Sequence, residues 1–120
     1  MASAVGLDLI EIERIERALA RRPRLADRLF RPGELAYAAG MARPGRHLAA
    51  RFAAKEAAIK ALGGRCGPRD IEVVGSEPPA LTLHGRARER AEEGGLDLAV
   101  SLTHSRDTAA AVVISGPRAS

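Results

Sequence analysis

The strongest constraint on this chain is a long stretch with no helix breaker. Residues 48–62 contain neither Gly nor Pro and consist mainly of Ala, Leu, Lys, Arg and Glu, residues that lose little on entering a helix. One long helix is therefore expected there. Leu48, Phe52, Ile59 and Leu62 recur at helical spacing as an apolar stripe, and Lys55 falls inside it. Ala49, Ala53, Glu56 and Lys60 share a neighbouring face. Small alanines there let another backbone or a ligand approach and leave Glu56 as a carboxylate in a narrow, desolvated place. A solvated Glu56/Lys60 pair at i, i+4, worth roughly a few tenths of a kcal/mol, accounts for the same pattern and is the simpler reading of this stretch alone.

With 120 residues, the chain has the length of one domain. It is read as a single unit over 1–116 with a frayed tail at 117–120. Apolar residues make up 46%, yet Phe and Tyr total three and Trp is absent. The core must be built from Leu, Ile, Val and Ala, and so thin a core would benefit from subunit association. No apolar run has the length of a membrane span, and Asp8, Glu11 and Glu13 come too early for a signal peptide. A cytoplasmic protein with no membrane partner is expected. Cys66 is the only cysteine, which excludes an internal disulfide and any cysteine-rich metal site and leaves an inert loop thiol.

The formal charge of +4 is unevenly spread. Arg14, Arg17, Arg21, Arg22, Arg24, Arg28 and Arg31 face only Glu16 and Asp27 in the same segment. Arg14, Arg17 and Arg21 lie on one helical face, opposite Ile12, Ile15 and Leu19. Such an arginine face suits a polyanion, since guanidinium binds carboxylate or phosphate bidentately; a merely solvated face is equally consistent. A basic nucleic-acid-binding module is the alternative function, but base-stacking aromatics are nearly absent and no readable recognition helix or zinc-finger spacing is present.

Residues 3–10 read as a strand and 11–22 as a helix, with Asp8 at the junction, where Asp is commonly an N-cap. Pro23 and the pair Pro32, Gly33 punctuate short helical pieces at 24–30 and 34–41. The long helix ends at Gly63 and Gly64, a ready C-cap. Strands at 70–75 and 80–84, a charged helix at 85–95 and a closing hairpin of 96–104 with 108–115 follow. The order β-α-α-α-β-β-α-β-β implies an α+β fold, an antiparallel sheet packed against the long helix. His104 stands at a strand end, a position more often structural than catalytic.

The stretches GLDLIEIERI (6–15), RFAAKEAAIKAL (51–62), DIEV (70–73) and SLTHSRDTAAAVVI (101–114) resemble, in this order and spacing, the holo-[acyl-carrier-protein] synthases, the short class of 4′-phosphopantetheinyl transferases. The resemblance implies Mg²⁺ on the pyrophosphate of coenzyme A, with Asp8 and Glu56 as its protein ligands. Lys60 would meet the remaining phosphate charge, and His104 would hydrogen-bond a coenzyme phosphate. Arg43 and Arg51 match positions near coenzyme phosphates, and Gly63 and Gly64 open a loop at the coenzyme pocket. A carrier-protein serine would attack the β-phosphorus and expel adenosine 3′,5′-bisphosphate, serving fatty acid or polyketide synthesis. Its proton would pass to Glu56 through a water, or to Asp8. Lys55 is left between the phosphate site and a subunit boundary.

Acyl carrier protein would dock on Arg14, Arg21, Arg24 and Leu25, with Arg17, Arg22 and Arg28 extending the surface. The family's homotrimer, with sites at subunit boundaries, agrees with a closing strand apolar on both faces, which an exposed edge would not tolerate; Ala109, Ala110 and Ala111 would allow close packing about an axis. The chain departs from the family in the loop at 63–69, which is short and lacks the usual Thr and aromatic, and in FRPGE (30–34), which replaces the more usual F-T-x-x-E.

Overall fold

A computed structural model of the chain describes residues 3–119. Its elements are β1 (Ala4–Glu11), α1 (Ile12–Arg21), α2 (Leu25–Leu29), α3 (Pro32–Ala39), α4 (Pro44–Ala61), a 3₁₀ turn (Pro68–Asp70), β2 (Ile71–Val74), β3 (Ala80–Leu83), α5 (Gly85–Gly94), β4 (Leu96–His104) and β5 (Thr108–Pro117). The α+β class holds. Four helices separate β1 from β2, matching the four helical segments read at 11–22, 24–30, 34–41 and 48–62 and one more than the order β-α-α-α-β counts. No helix among the described residues is long and apolar enough to cross a membrane.

Helix α4 starts earlier than its unbroken composition indicates. Pro44 occupies the first turn, where a missing N–H costs nothing. At the other end Gly63 and Gly64 take φ of +83° and +82°, and their N–H groups return to the carbonyls of Lys60 (3.0 Å) and Ile59 (2.8 Å). Two orphan carbonyls are thereby satisfied.

Strands β1, β5 and β4 form an antiparallel sheet in that order; β2 and β3 pair separately. Helix α4 lies across the inner face of the larger sheet, burying Ala49, Ala53, Ala57 and Ala58. The alanines allow an unusually close approach at Gly6, where a Cβ would sit 1.7 Å from the Ala57 carbonyl oxygen. The core is aliphatic, as the composition requires. The outer face is different: Val5, Leu7 and Leu9 are 65%, 65% and 70% exposed, and Ile114, paired with Val5, is 50% exposed.

Three expectations are corrected. Asp8 lies inside β1, opposite Ala111, so it caps no helix; α1 begins after Glu11, and the Ile12 N–H goes to the Asp107 carbonyl (2.9 Å). Strand β5 is the central strand of its sheet, so its two-sided apolarity is not that of an edge. Its pairing with β4 reaches Pro117, and the Arg118 N–H donates to the Gly95 carbonyl (2.7 Å), so fraying does not begin at 117. Met1, Ala2 and Ser120 lie outside the described residues.

Lys55 is at neither of its expected places. Its side chain is fully buried, and its ammonium donates to Glu34 Oε1 (2.7 Å), the Pro68 carbonyl (3.0 Å) and the Ile71 carbonyl. Glu34 in turn accepts from the N–H groups of Val73 and Arg31, both at 2.9 Å. All three ammonium donors are thus used in pinning α4 to α3, the 3₁₀ turn and β2. Burial pulls the Lys55 pKa down and Glu34 opposes it.

Candidate active site

Asp8 projects from the inner face of β1 toward the flank of α4 that carries Glu56 and Lys60. The Lys60 ammonium lies 3.3 Å from Asp8 Oδ1 and donates to the Leu7 carbonyl at 2.9 Å. The Glu56 carboxyl is pushed above its ordinary range by burial first and by the charge of Asp8 second, while Lys60 works against both. The desolvated carboxylate is therefore the better description of Glu56 than the solvated Glu56/Lys60 pair that is the simpler reading of the stretch alone; Lys60 pairs with Asp8 instead. Two neighbouring carboxylates, one half-buried, favour a cation between them. Their oxygen donors suit a hard divalent ion such as Mg²⁺, which takes one or two carboxylates and fills its remaining positions with phosphate and water oxygens. Among the described residues no third acidic, His or Cys side chain joins them, so the donor set fits an ion shared with a phosphorylated ligand.

His104 does not join this group. At about 100° per residue, His47 and Arg51 lie roughly 140° to 180° around α4 from Glu56 and Lys60, and His104 is on their side. With Tyr37, His47 and Arg51 it lines a cavity of about 360 Å³ whose far wall is the β2–β3 turn. The His47 and His104 rings meet edge to face at 5.3 Å between centroids. Arg51 is buried, donates to the carbonyls of Val73 (2.8 Å) and Gly75 (3.2 Å), and stacks on Tyr37 at 4.1 Å. Burial pulls both imidazole pKa values down; Arg46 adds to the effect on both, and His104 adds to it for His47.

Arg43 reaches neither group. Its fork grips Glu16 at 2.9 and 3.1 Å, holding that carboxyl below its usual range, and it also donates to the Arg106 carbonyl (2.9 Å). Gly63 and Gly64 follow directly on the Lys60 turn, where Arg90 donates to the Leu62 carbonyl (2.8 Å). Cys66 packs against the core, and burial pushes its thiol up, which keeps it unreactive.

The family model described as the 4′-phosphopantetheinyl transferase superfamily matches residues 4–113. The chain belongs to this superfamily. It is 50% identical over 115 residues to a holo-[acyl-carrier-protein] synthase of Moorella thermoacetica, covering 91% of this chain and 90% of that one. A synthase of the same name from Nitratidesulfovibrio vulgaris is also 50% identical, over 123 residues, 95% of this chain and 98% of the other. Among solved structures, a Chronobacterium ammoniagenes ACPS–CoA complex matches with a TM-score of 0.86 at 30% identity, covering 99% of this chain and 100% of that one.

The basic end of this superfamily member lies on α1 and α2. Ile12 and Ile15 are buried while Arg14, Arg17 and Arg21 are exposed, so the two faces of α1 fall as its periodicity predicts. Arg17 is paired with Glu13 at 2.6 Å, which leaves Arg14 and Arg21 as the freer cations. Arg22, Arg24 and Arg28 rim a shallow depression floored by Pro23 and Leu25. Sequence reasoning missed His47, Tyr37 and the Glu34 partner of Lys55. Only Lys55 carried a signal, as a charge inside an apolar stripe.

Proposed function

We propose that this chain transfers 4′-phosphopantetheine from coenzyme A to a serine of an acyl carrier protein. The observation that carries the reading is the Asp8, Glu56 and Lys60 constellation where α4 meets β1, in a chain half identical to holo-[acyl-carrier-protein] synthases. The serine Oγ bonds to the β-phosphorus while the bond from that phosphorus to the bridging oxygen breaks; adenosine 3′,5′-bisphosphate leaves with the bond's electrons, and the serine gives up its proton. Asp8 and Glu56 would hold Mg²⁺, which supplies charge to neutralise the pyrophosphate and its leaving oxygen. The serine proton would pass to Glu56 through a water, or to Asp8. Lys60 is exposed enough to turn from Asp8 and the Leu7 carbonyl toward a phosphate oxygen. Arg14, Arg21, Arg24, Leu25 and Arg28 form the docking surface for the acidic carrier. The activity belongs in the cytoplasm, where carriers are loaded for fatty acid or polyketide synthesis.

One chain carries the site in two halves on opposite flanks of α4, and the outer sheet face leaves Val5, Leu7, Leu9 and Ile114 uncovered. A closed homotrimer answers both: it covers the apolar face and brings the His104 cavity of one copy to the Asp8, Glu56 and Lys60 edge of the next. A mass spectrum of apo carrier incubated with this chain, coenzyme A and Mg²⁺ should gain one phosphopantetheine. Unchanged carrier at equimolar protein would refute the transfer, and full activity in a species sedimenting at the mass of one chain would refute the assembly.

A further inference from the structure

Strand β2 pairs with β3 along one edge, and among the described residues no strand joins its other edge. Side chains close that edge instead. The carbonyls of Ile71, Val73 and Gly75, every second residue, accept from Lys55 and Arg51, which stand one turn apart on α4. Between them the Val73 N–H donates to Glu34 Oε2 at 2.9 Å. Glu34 Oε1 takes the Lys55 ammonium at 2.7 Å, so the chain of bonds returns to α4. Glu34 and Lys55 are 1% and 0% exposed; no substrate touches them, and the transfer chemistry gives Glu34 no task.

The rest of the buried face of α4 shows what such a mount does. Seven of its ten buried residues are Ala, the others being Leu48, Arg51 and Lys55. Helices lock onto their neighbours by fitting side-chain ridges into grooves, and methyl groups raise almost no ridge. The contact of Gly6 with Ala57 sets how near α4 lies to β1 at one point, which leaves roll about the helix axis to be fixed elsewhere. Lys55 precedes Glu56 and lies about 100° round the helix from it. Its three directed bonds, to α3, the 3₁₀ turn and β2, oppose any roll, as fully satisfied buried polar networks do. We propose that Glu34 and Lys55 are a positioning pair for the transfer reaction: they set the rotation of α4 and so aim Glu56 at the cation site it shares with Asp8. The proposal rests on the transferase reading above. A carboxyl about 6 Å from the helix axis moves about 1 Å for a roll of about 10°, and a misplacement of that size costs on the order of 100-fold in rate. A pair that only stabilised the fold would cost nothing once stability was restored.

Lys55→Met with Glu34→Gln removes both buried charges and recovers stability relative to Lys55→Met alone, but the thioether and amide do not reproduce the directed bonds. In this double variant, under conditions where urea titration shows it folded, kcat should fall about 100-fold while KM for the carrier stays within about twofold. Binding of Mn²⁺ in the presence of coenzyme A, followed by electron paramagnetic resonance, reads the same geometry without turnover; its affinity should fall about tenfold. Glu34→Asp keeps both charges but shortens the carboxylate arm by one methylene, and should lower kcat and Mn²⁺ affinity about tenfold with little change in urea midpoint. Parental kcat and Mn²⁺ affinity in the folded double variant would overturn the positioning role, as would a kcat that follows the urea midpoint across Lys55→Met, the double variant and Glu34→Asp. If the double variant does not fold, Glu34→Asp decides: parental kcat and Mn²⁺ affinity there overturn the proposal. If the parent binds Mn²⁺ with coenzyme A yet loads no carrier, the transferase reading falls, while lost Mn²⁺ affinity in the variants still upholds the positioning pair.

Discussion

Gly6→Ala tests the packing that brings the two carboxylates together. The added Cβ would lie 1.7 Å from the Ala57 oxygen, 2.7 Å from its carbon and 3.0 Å from the Ala61 nitrogen. All three are backbone atoms of α4, so no rotamer change relieves the clash. A carbon–oxygen contact needs about 3.3 Å, so β1 and α4 must separate by about 1.5 Å. Overpacking of this kind costs about 1–3 kcal/mol or more, and the upper end applies here because a strand must leave a helix. The entropy gained from replacing Gly, about 0.5–1 kcal/mol, does not offset it. With a urea m-value of about 1.5 kcal/mol/M, the midpoint should fall by about 2 M. Asp8 is two residues further along the same strand face, and Glu56 precedes Ala57, so the same displacement opens the site; a 1 Å misplacement costs on the order of 100-fold in rate. Far-UV circular dichroism in urea and single-turnover mass spectrometry of the carrier measure the two effects. Gly40→Ala, whose Cβ meets nothing closer than 3.6 Å, is the control and should change neither by much. A Gly6→Ala protein with parental midpoint and rate would refute the argument.

Glu56→Gln should trade stability for function. Folding raises the Glu56 pKa, so the folded state is favoured below the ordinary value of 4.5 and loses that advantage as pH rises through the folded value; the neutral amide escapes the loss, giving a higher urea midpoint at pH 7 in chelator and little or no transfer. Lys55→Met leaves the Glu34 carboxylate buried without its cation and should cost about 3–5 kcal/mol in urea unfolding, with Glu34→Gln in the same chain recovering part; a loss below 1 kcal/mol would contradict the buried pair. Arg14→Glu with Arg21→Glu should raise KM for the carrier at least about tenfold while KM for coenzyme A stays within about twofold. Added salt should mimic that change, because exposed charges are screened beyond about 8 Å at physiological ionic strength; kinetics indifferent to both would remove α1 from recognition.

What the sequence makes legible is local. The alanine run forces α4, the composition forces an aliphatic core, and alternation along 96–104 marks β4, whereas Glu56 beside small residues allows a desolvated carboxylate that the stretch alone does not decide. The remainder depends on partners far along the chain. Lys55 meets Glu34, 21 residues away, and no local pattern encodes that meeting. Asp8 reads as a junction residue because no Gly or Pro marks where β1 gives way to α1, which hides the boundary after Glu11. His47 is hidden because Pro44 and Gly45 read as a break before the helix, whereas both are tolerated in its first turn. The division of Asp8 from His104 reflects the direction in which α4 crosses the sheet, a property of the tertiary fold that no single motif carries.

Strand β1 alternates Val5, Leu7 and Leu9 on its outer side with Gly6, Asp8 and Ile10 on its inner side. Eight residues therefore carry two separate messages, interleaved. An insertion or deletion of one residue before Asp8 would put the acid on the greasy side and leucines where the acid belongs, so changes of length must accumulate in the loops. Point changes are freer and divide by parity: odd positions can drift among apolar residues without disturbing the chemistry, whereas Gly6 and Asp8 are held by a backbone contact and a charge. Along one short strand, neighbouring codons thus evolve under unrelated constraints.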